Sequence, residues 1–204
     1  GVKVTMVTGD VITTARAIAK EAGLITKPTD ICITHDELAK MTDEELIKIL
    51  PDLKVVARAV PSDKERLVEV SRSIGEVVGM TGDGVNDAAA LHKADVGFAM
   101  GSGTEVAKEA GDIIILNDSL TSIADAIMYG RTMSKSVKKF IIFQLTVNVS
   151  TVFTAVLGPI LGWTEVFTIV QILWINMIMD TLAAIAFGKE PARESYMNEK
   201  PVSR

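Results

Sequence analysis

The order of apolar and polar positions divides the chain into two parts. Up to about residue 117, short β-branched runs alternate with segments whose apolar positions recur at helical spacing. Near-continuously apolar strands that alternate with helices predict an α/β fold whose parallel sheet is covered on both faces. The predicted strands are Val2–Val7, Val55–Ala57, Val77–Met80, Val96–Ala99 and Ile113–Leu116. The predicted helices are Val11–Ala22, Asp43–Leu50, Ser62–Ile74, Asp87–Ala94 and Thr104–Ala110.

After Asn117 the pattern changes to two long apolar runs, Phe140–Leu157 and Val166–Phe187, which follow an amphipathic stretch and are separated by Gly158-Pro159. Each run has about 18–22 residues, enough to span a bilayer core of about 30 Å as a helix. Basic residues flank both outer ends, so the positive-inside rule predicts a transmembrane hairpin whose ends face the cytoplasm. The alternative is a buried core hairpin of a soluble protein. It is disfavoured, because two such runs are hard to bury in 204 residues.

Charge and cysteine content narrow the function classes. The net charge of −5 provides no basic footprint for nucleic acid. Cys32 is the only cysteine, which excludes an internal disulfide and favours a reducing compartment. The N-terminus lacks the pattern of a signal peptide and starts in a predicted strand, so we expect the sequence to be part of a longer one.

Two polar turns directly follow predicted strands: Thr8-Gly9-Asp10 and the run from Thr81 to Asp87. Ligands of parallel sheets collect at the carboxyl ends of the strands, so both turns are predicted to share one rim. Mg²⁺ takes one or two carboxylates and completes its shell with phosphate oxygens and water, while glycines leave N–H groups free for phosphate. Lys64, at the start of a predicted helix, would add a positive charge. Ordinary turn chemistry is the simpler explanation for the first turn but not for the second.

Several segments resemble those of P-type ATPases, cation pumps whose phosphorylation domain has the haloacid-dehalogenase fold. "MTGDGVNDAAALHKADVGFAM" is similar to the hinge motif of that family, "MVTGD" to its second motif and "ARAVPSDKERLVE" to its lysine segment. "GTEVAKEAGDIIILNDSLTSI" and "QILWINMIMD" extend the resemblance over essentially the whole chain. One departure is Ala89, where the family usually has proline; it removes no charged group.

This resemblance implies a domain organisation. Residues 1–118 would form a partial phosphorylation domain with a Rossmann-like parallel sheet, and residues 119–139 a stalk helix. Residues 140–188 would be the fifth and sixth transmembrane helices, and residues 189–204 a cytoplasmic loop. The family's phosphorylated aspartate, in Asp-Lys-Thr-Gly-Thr, does not occur in these 204 residues. We therefore expect this chain alone not to hydrolyse ATP.

The resemblance also implies a role for each site residue. Asp83 would coordinate Mg²⁺, and Asn86 and Asp87 would hold the Mg²⁺ and phosphate site through a second layer of bonds. Thr8, Gly9 and Lys64 would contact the aspartyl phosphate, with Asp10 beside them. Metal and lysine would offset the phosphoryl charge during transfer.

Polar residues inside the second apolar run indicate the cargo. Asn176 and Asp180 are four residues apart, hence on one helix face, and their oxygens suit a hard cation. Asp180 is the only carboxylate within either run, since Glu165 lies at the edge of the external loop. An ionisable group at membrane depth is costly and points to function, although a polar helix-packing pair is the alternative.

"WINMIMDTLAA" and "FQLTVN" resemble calcium pumps of the plasma-membrane type, which implies Ca²⁺ transport with Asn148 near the site. Thr151 and Met179 stand where two-calcium pumps carry Glu and Thr, which implies a single Ca²⁺ site.

The implied protein is a multi-pass membrane protein of the plasma membrane, with residues 1–139 and 189–204 in the cytoplasm. Its partners would be membrane lipid, Ca²⁺ and ATP, with Mg²⁺ as cofactor and no nucleic acid. A pump for Mn²⁺ or H⁺ is one alternative, and a membrane-anchored phosphatase of the dehalogenase fold is another; the anchor of such a phosphatase should lack Asn176 and Asp180. A non-catalytic membrane module would have no reason to retain Asp83 together with Lys64.

Overall fold

A computed structural model describes residues 2–163 and 166–199. The chain forms two compact units, one that includes the residues up to Ile123 and one that spans Ala124–Glu199. The domain boundaries expected at residues 118, 139 and 188 stay predictions. Glu165, expected at the edge of an external loop, lies outside the described residues, as do the basic residues Lys200 and Arg204.

The first unit alternates strands and helices. Its strands are β1 (Met6–Val7), β2 (Ile31–Thr34), β3 (Leu53–Ala57), β4 (Gly79–Gly82), β5 (Val96–Met100) and β6 (Ile113–Ile115). Its helices are α1 (Ile12–Glu21), α2 (His35–Lys40), α3 (Asp43–Ile49), α4 (Pro61–Ser73), α5 (Ala88–Lys93) and α6 (Glu105–Ala110), with a short 3₁₀ turn at Val85–Asp87.

The strands pair in parallel, as predicted, but in two sheets instead of one. The first sheet has the order β1-β3-β2 and the second β4-β5-β6. The strands that precede the two polar turns, β1 and β4, are therefore edge strands of different sheets. The prediction of a single sheet was wrong in this respect, because no ladder joins β1 to β4 in the described residues. The shared rim of the two turns stays a prediction.

The predicted strand Val2–Val7 is reduced to Met6–Val7 for a physical reason. Met6 pairs with Val55 in the parallel register, so Val2 and Lys3 extend past the start of β3 at Leu53. No described strand pairs with them there. Val2 and Val4 are 54% and 52% exposed.

From Val55 to Ala57, alternate residues of β3 face two apolar clusters, so helices cover both faces of the first sheet. Val55 and Ala57 pack with Ala15 and Ala19 of α1. Val56 packs on the other face in a cluster with Leu38, Leu46, Leu67 and Val70 from α2, α3 and α4. This period of two confirms the predicted two-sided coverage of the strand.

Two elements were not predicted, β2 and α2. The strand is only four residues long, and His35–Lys40 is too short to show a helical period. A capping box was the available signal: the Thr34 N–H donates to the Glu37 carboxylate at 2.7 Å. Thr42 and Glu45 repeat the arrangement at the start of α3.

The second unit is dominated by two long apolar helices, α7 (Leu120–Ile160), whose first turn precedes the unit, and α8 (Ile169–Gly188). The predicted stalk and the first predicted span are one uninterrupted helix, and Pro159 lies in its last turn. Both helices are long and apolar enough to cross a membrane. Leu173 is 65% exposed and Val152 is 62% exposed, which does not fit a buried core hairpin of a soluble protein.

Candidate functional sites

The first candidate site is the loop from Gly82 to Asp87, which is folded around the side chain of Asp87. The Asp87 carboxylate accepts hydrogen bonds from the N–H groups of Asp83 and Gly84 at 3.2 and 3.3 Å, both to Oδ2. A Cβ on Gly82 would lie 2.4 Å from the Cβ of Asp87, so this loop requires glycine there. Asp87 is consequently 5% exposed.

Lys64 on α4 completes the surroundings of Asp87. Its Nζ donates to Asp87 Oδ1 at 2.5 Å, and the two side chains are 21% and 7% exposed. Burial by itself raises the pKa of Asp87. The hydrogen bond and charge of Lys64, together with the hydrogen bonds from the two backbone N–H groups, lower the pKa by more than burial raises it. The pKa of Asp87 therefore lies below its ordinary value. Asp87 is ionised at neutral pH, and both its oxygens are engaged within the protein.

Asp83 has a fixed backbone and a free carboxylate. The Thr104 N–H donates to the Asp83 carbonyl at 2.8 Å. Gly103 approaches Asp83 so closely that an added Cβ would be 3.0 Å from its Cα. The Asp83 side chain is exposed and has no hydrogen-bond or ion-pair partner among the described residues, and the same is true of the exposed Asn86.

This donor set fits Mg²⁺. Mg²⁺ keeps several waters and is held by one or two carboxylates together with substrate phosphates, not by a cage of protein ligands. An anchored loop with one free carboxylate, Asp83, meets that need. Within residues 2–163 and 166–199, no group of three or more His, Cys, Asp or Glu side chains could hold a metal ion by itself.

The other polar turn, Thr8-Gly9-Asp10, is held by hydrogen bonds between its own residues. The Thr8 hydroxyl donates to Asp10 Oδ2 at 2.9 Å and accepts from the Asp10 N–H at 3.2 Å. Its backbone is held against the end of β3, where Ala59 N–H donates to the Thr8 carbonyl and Arg58 N–H to the Asp10 carbonyl, each at 2.9 Å. The Gly9 N–H has no partner among the described residues, so it is the donor of this turn that is open to an anion.

The structure brings some of the predicted residues together and leaves others apart. Lys64, Asp83 and Asp87 form one bonded cluster, with Asn86 in the same loop. No hydrogen bond or ion pair connects the Thr8–Asp10 turn with that cluster in the described residues, in keeping with its place in the other sheet.

The third group of predicted residues lies on α7 and α8. Asn176 and Asp180 are half-buried, while Asn148 is exposed. Asp180 Oδ1 is a buried oxygen for which no hydrogen-bond partner exists in the described chain. Two contacts fix the alignment of the antiparallel helices: Phe143 lies 6.2 Å from Phe187 between ring centroids, and Lys139 Nζ donates to Glu190 Oε1 at 2.6 Å. Each helix rises about 1.5 Å per residue. Asn148 and Asp180 are nearly equally far along their helices from the Lys139–Glu190 contact, so they lie at nearly the same height along the hairpin.

Sequence reasoning did not include Gln144 among the site residues. Its Oε1 is the other buried side-chain oxygen without a partner in the described residues. The sequence signal was the interruption of an apolar run by an amide, but an amide in a membrane helix is equally typical of helix packing.

Residues 190–199 return along α7 and are held by its basic side chains. Lys139 and Ser136 both bind the Glu190 carboxylate, and Arg131 donates to the Tyr196 carbonyl at 2.7 Å. The ammonium group of Lys135 binds Glu199 and lies 3.9 Å from the centre of the Tyr196 ring. The hydrogen bond from Lys139, then that from Ser136, lowers the pKa of Glu190. The basic residues before the first apolar run, from which the membrane topology was predicted, thus also hold residues 190–199 against α7.

Three family models match parts of the chain. Two describe haloacid dehalogenase-like hydrolases and match residues 1–95 and 65–127. The third describes the C-terminus of cation transporting ATPases and matches residues 164–204.

Curated relatives match over nearly the full length of the chain. "Calcium-transporting ATPase 2" of Schizosaccharomyces pombe is 49% identical over 98% of the chain. "Plasma membrane calcium-transporting ATPase 4" of Homo sapiens is 47% identical over 100% of it. The chain spans only 16% and 18% of these two relatives.

A solved structure has a similar fold. It is the crystal structure of a zinc-transporting PIB-type ATPase in its E2.Pi state, with a TM-score of 0.58 and 26% identity. The match covers 90% of this chain and 24% of that one.

Proposed function

The chain belongs to the family of cation-transporting P-type ATPases, and on that premise we propose that it is a segment of an ATP-driven Ca²⁺ pump. The pump would work through an aspartyl phosphate whose aspartate lies outside these 204 residues. This chain would contribute the Mg²⁺- and phosphate-handling end of the phosphorylation domain and the fifth and sixth transmembrane helices.

The observation that carries this proposal is the unpartnered oxygen of Asp180. A buried polar atom without a hydrogen bond costs free energy, and the cost is greater for a carboxylate in a membrane helix. Such a group is retained where a ligand satisfies it. Ca²⁺ is bound by six to eight oxygen ligands, and carboxylate and amide side chains supply them. Asp180 would provide the negative charge, and Asn176 and Asn148 would provide neutral oxygens.

Two positions support a single Ca²⁺ site. Thr151 donates its hydroxyl to the Val147 carbonyl at 2.9 Å, so this hydroxyl is already used within the helix. Met179 has no oxygen in its side chain. Neither residue adds a carboxylate to the Asp180 level, and one carboxylate on these two helices suits one divalent ion with a partner ligand elsewhere in the pump.

In the phosphorylation domain we assign each residue a role that its free or bonded side-chain atoms can perform. Asp83 would hold Mg²⁺, because its carboxylate is free and its backbone is anchored. Bound Mg²⁺ would offset the negative charge of the phosphoryl group during transfer. Asp87 would keep Lys64 in place beside the loop, and Asn86 would add an amide at its outer edge. Lys64 retains two further N–H donors, with which it would approach phosphate.

The turn at Thr8–Asp10 would bind phosphate from another strand. Gly9 would donate its free N–H, and Asp10 would orient the Thr8 hydroxyl. Within residues 2–163 and 166–199, β1 and β4 each have one unpaired edge, which suits a further parallel strand between them. We propose that the strand leading to the phosphorylated aspartate occupies this place and brings the two turns to one rim.

The location of the pump would be the plasma membrane, with residues 1–139 and 189–204 in the cytoplasm. The basic side chains Arg131, Lys135 and Lys139 at the cytoplasmic end of α7 support this orientation. A membrane-anchored phosphatase does not require a charged side chain at the level of Asp180, and a Mn²⁺ or H⁺ pump is distinguished from a Ca²⁺ pump by the test below.

The test is Asp180→Asn in the full-length pump, with Asp125→Asn, an exposed carboxylate on the same α7–α8 unit, as the matched control. We expect Asp180→Asn to abolish Ca²⁺-activated phosphorylation by ATP and to preserve phosphorylation by inorganic phosphate, which needs an empty cation site. The control should behave as wild type. Wild-type Ca²⁺ uptake by Asp180→Asn would refute the site, and activation of the unmodified pump by Mn²⁺ but not Ca²⁺ would refute the choice of ion.

A further inference from the structure

We propose that Gln144 is an oxygen ligand on the cytoplasmic side of the cation site, which the ion meets before it reaches Asp180. This inference rests on the proposed function and adds a residue to it. Gln144 Oε1 and Asp180 Oδ1 are the two buried side-chain oxygens that lack a hydrogen-bond partner in residues 2–163 and 166–199.

The burial of Gln144 has a cost that packing does not repay. Transfer of an amide out of water without a hydrogen bond is unfavourable, whereas leucine at the same place would pack without this penalty. The residues opposite offer no partner. Counted from the Lys139–Glu190 contact, Gln144 lies level with Ile185 of α8, and Ala184 and Ala186 adjoin it. None of these three side chains donates or accepts a hydrogen bond.

Among the residues proposed as ligands, Gln144 lies nearest to the Lys139–Glu190 end of the hairpin. Gln144 is four residues before Asn148 on α7, so both lie on the same side of the helix and about one turn apart. Asn148 and Asp180 share the next level, and Asn176 lies about one turn further from the Lys139–Glu190 end. Gln144 therefore stands between the charged end of the hairpin and Asp180.

A ligand at this level has a clear physical use. Ca²⁺ sheds water stepwise as it leaves the cytoplasm, and each lost water must be replaced by a protein oxygen. An uncharged amide can replace a water without holding the ion more tightly than the carboxylate beyond it. Gln144 is half-buried and its Oε1 is fully buried, so this oxygen lies against the protein and is shielded from lipid.

The experiment compares Gln144→Leu with wild type in the full-length pump by rapid-mixing phosphorylation with ATP. In one arm Ca²⁺ is bound beforehand at a saturating concentration, and in the other Ca²⁺ and ATP are added together. We expect Gln144→Leu to lower the apparent Ca²⁺ affinity about tenfold, the change given by one lost ligand interaction of about 1.4 kcal/mol. Phosphorylation should rise more slowly when Ca²⁺ is added with ATP and at the normal rate when Ca²⁺ is already bound. Gln144→Glu, which keeps an oxygen ligand, should recover the affinity.

Thr146→Val is the matched control. Thr146 lies two residues further on the exposed side of α7, and its hydroxyl is already bonded to the Ile142 carbonyl at 2.8 Å. This variant should match wild type in both arms.

Wild-type affinity and rates for Gln144→Leu would overturn the inference and leave Gln144 as a packing residue. Equal slowing in both arms, or loss of phosphorylation by inorganic phosphate, would also overturn it, because Gln144 would then support the fold. An unmodified pump that Ca²⁺ does not activate would refute the proposed function itself. That result differs from failure at Gln144 alone.

Discussion

Lys64 Nζ donates a 2.5 Å hydrogen bond to Asp87 Oδ1 across 23 residues of sequence. The pair joins α4, which packs on the first sheet, to the loop that follows β4 in the second sheet. Because Asp87 also binds the N–H groups of Asp83 and Gly84, the lysine fixes the loop that carries Asp83. The same ion pair makes the stability of the first unit depend on pH.

Lys64→Met should destabilise the first unit at pH 7 by about 1–3 kcal/mol, because a buried carboxylate loses its cation. In wild type the pKa of Asp87 lies below the unfolded value of about 3.9. Ionised Asp87 therefore stabilises the fold above about pH 4, and this contribution is lost as the pH falls through the folded pKa. In the variant, burial dominates and raises the pKa of Asp87, so lowering the pH from 7 towards 4 should recover part of the lost stability.

The measurement is urea unfolding of the 204-residue chain in detergent at several pH values. The unfolded fraction is determined from the extent of protease cleavage within residues 2–123. Lys20→Met, an exposed lysine on α1 without an ion-pair partner in the described residues, is the control. A pH profile for Lys64→Met that runs parallel to the control would show that Lys64 does not set the pKa of Asp87.

Gly82→Ala should disturb the same loop by steric means. The new Cβ would lie 2.4 Å from the Cβ and 2.9 Å from the Cγ of Asp87, and Asp87 cannot move away without giving up Lys64 and two N–H bonds. We expect a loss of about 1–3 kcal/mol in unfolding free energy, as for other overpacked sites.

Gly9→Ala is the control for this variant, since nothing lies within 4 Å of the Cβ it would add. Its effect on unfolding should stay within about 0.5 kcal/mol. Equal effects of the two substitutions, measured by urea unfolding as above, would contradict the close contact between Gly82 and Asp87.

Asp83→Asn should weaken Mg²⁺ binding in the full-length pump and leave the fold intact. Its backbone bonds to Thr104 and Asp87 do not involve the side chain, so only the free carboxylate is altered. We expect at least a tenfold rise in the Mg²⁺ concentration needed for phosphorylation by ATP, since even loss of a residue that supports a metal ligand costs about 10–100-fold. Asp52→Asn, an exposed carboxylate at the turn before β3, should leave the Mg²⁺ dependence unchanged. Normal labelling of Asp83→Asn at low Mg²⁺ would remove Asp83 from the metal site.

The elements predicted from the sequence are largely those of the structure, and the exceptions have identifiable causes. Periodicity predicts strands and helices from local pattern, so Val96–Ala99 and Ser62–Ile74 were each placed to within one residue of the observed bounds. Which strands pair is a long-range property, and the pattern does not contain it. The division into two sheets, with β1 and β4 at separate edges, was therefore missed.

The site shows the same limit. The motifs indicated which residues carry the chemistry, but the structure revealed their bonding partners. The resemblance assigned Lys64 to phosphate, and the structure places its ammonium on Asp87. Gln144 had no signal beyond its polarity. Its significance lies in the lack of a hydrogen-bond partner among the described residues, which only the three-dimensional structure reveals.

The end of α7 provides the last prediction, through the contrast between two glycines of one helix. A Cβ on Gly158 would lie 2.0 Å from Cγ2 of Val166 and 3.3 Å from Trp163, so Gly158→Ala must push the following turn away. A Cβ on Gly130 would meet nothing within 4 Å. Gly130→Ala should therefore stabilise the helix by about 0.5–1 kcal/mol, the usual gain from alanine over glycine in a helix interior. Gly158→Ala should instead destabilise the hairpin by about 1–3 kcal/mol.

Titration of the purified chain with SDS, followed by tryptophan fluorescence, measures both effects, because Trp163 lies beside the crowded site. The double variant Gly158→Ala with Val166→Ala should recover most of the stability, since the shortened side chain removes the 2.0 Å contact. Stabilisation by alanine at both glycines would mean that Val166 does not pack on Gly158. The turn between α7 and α8 would then not depend on the absence of a side chain at position 158.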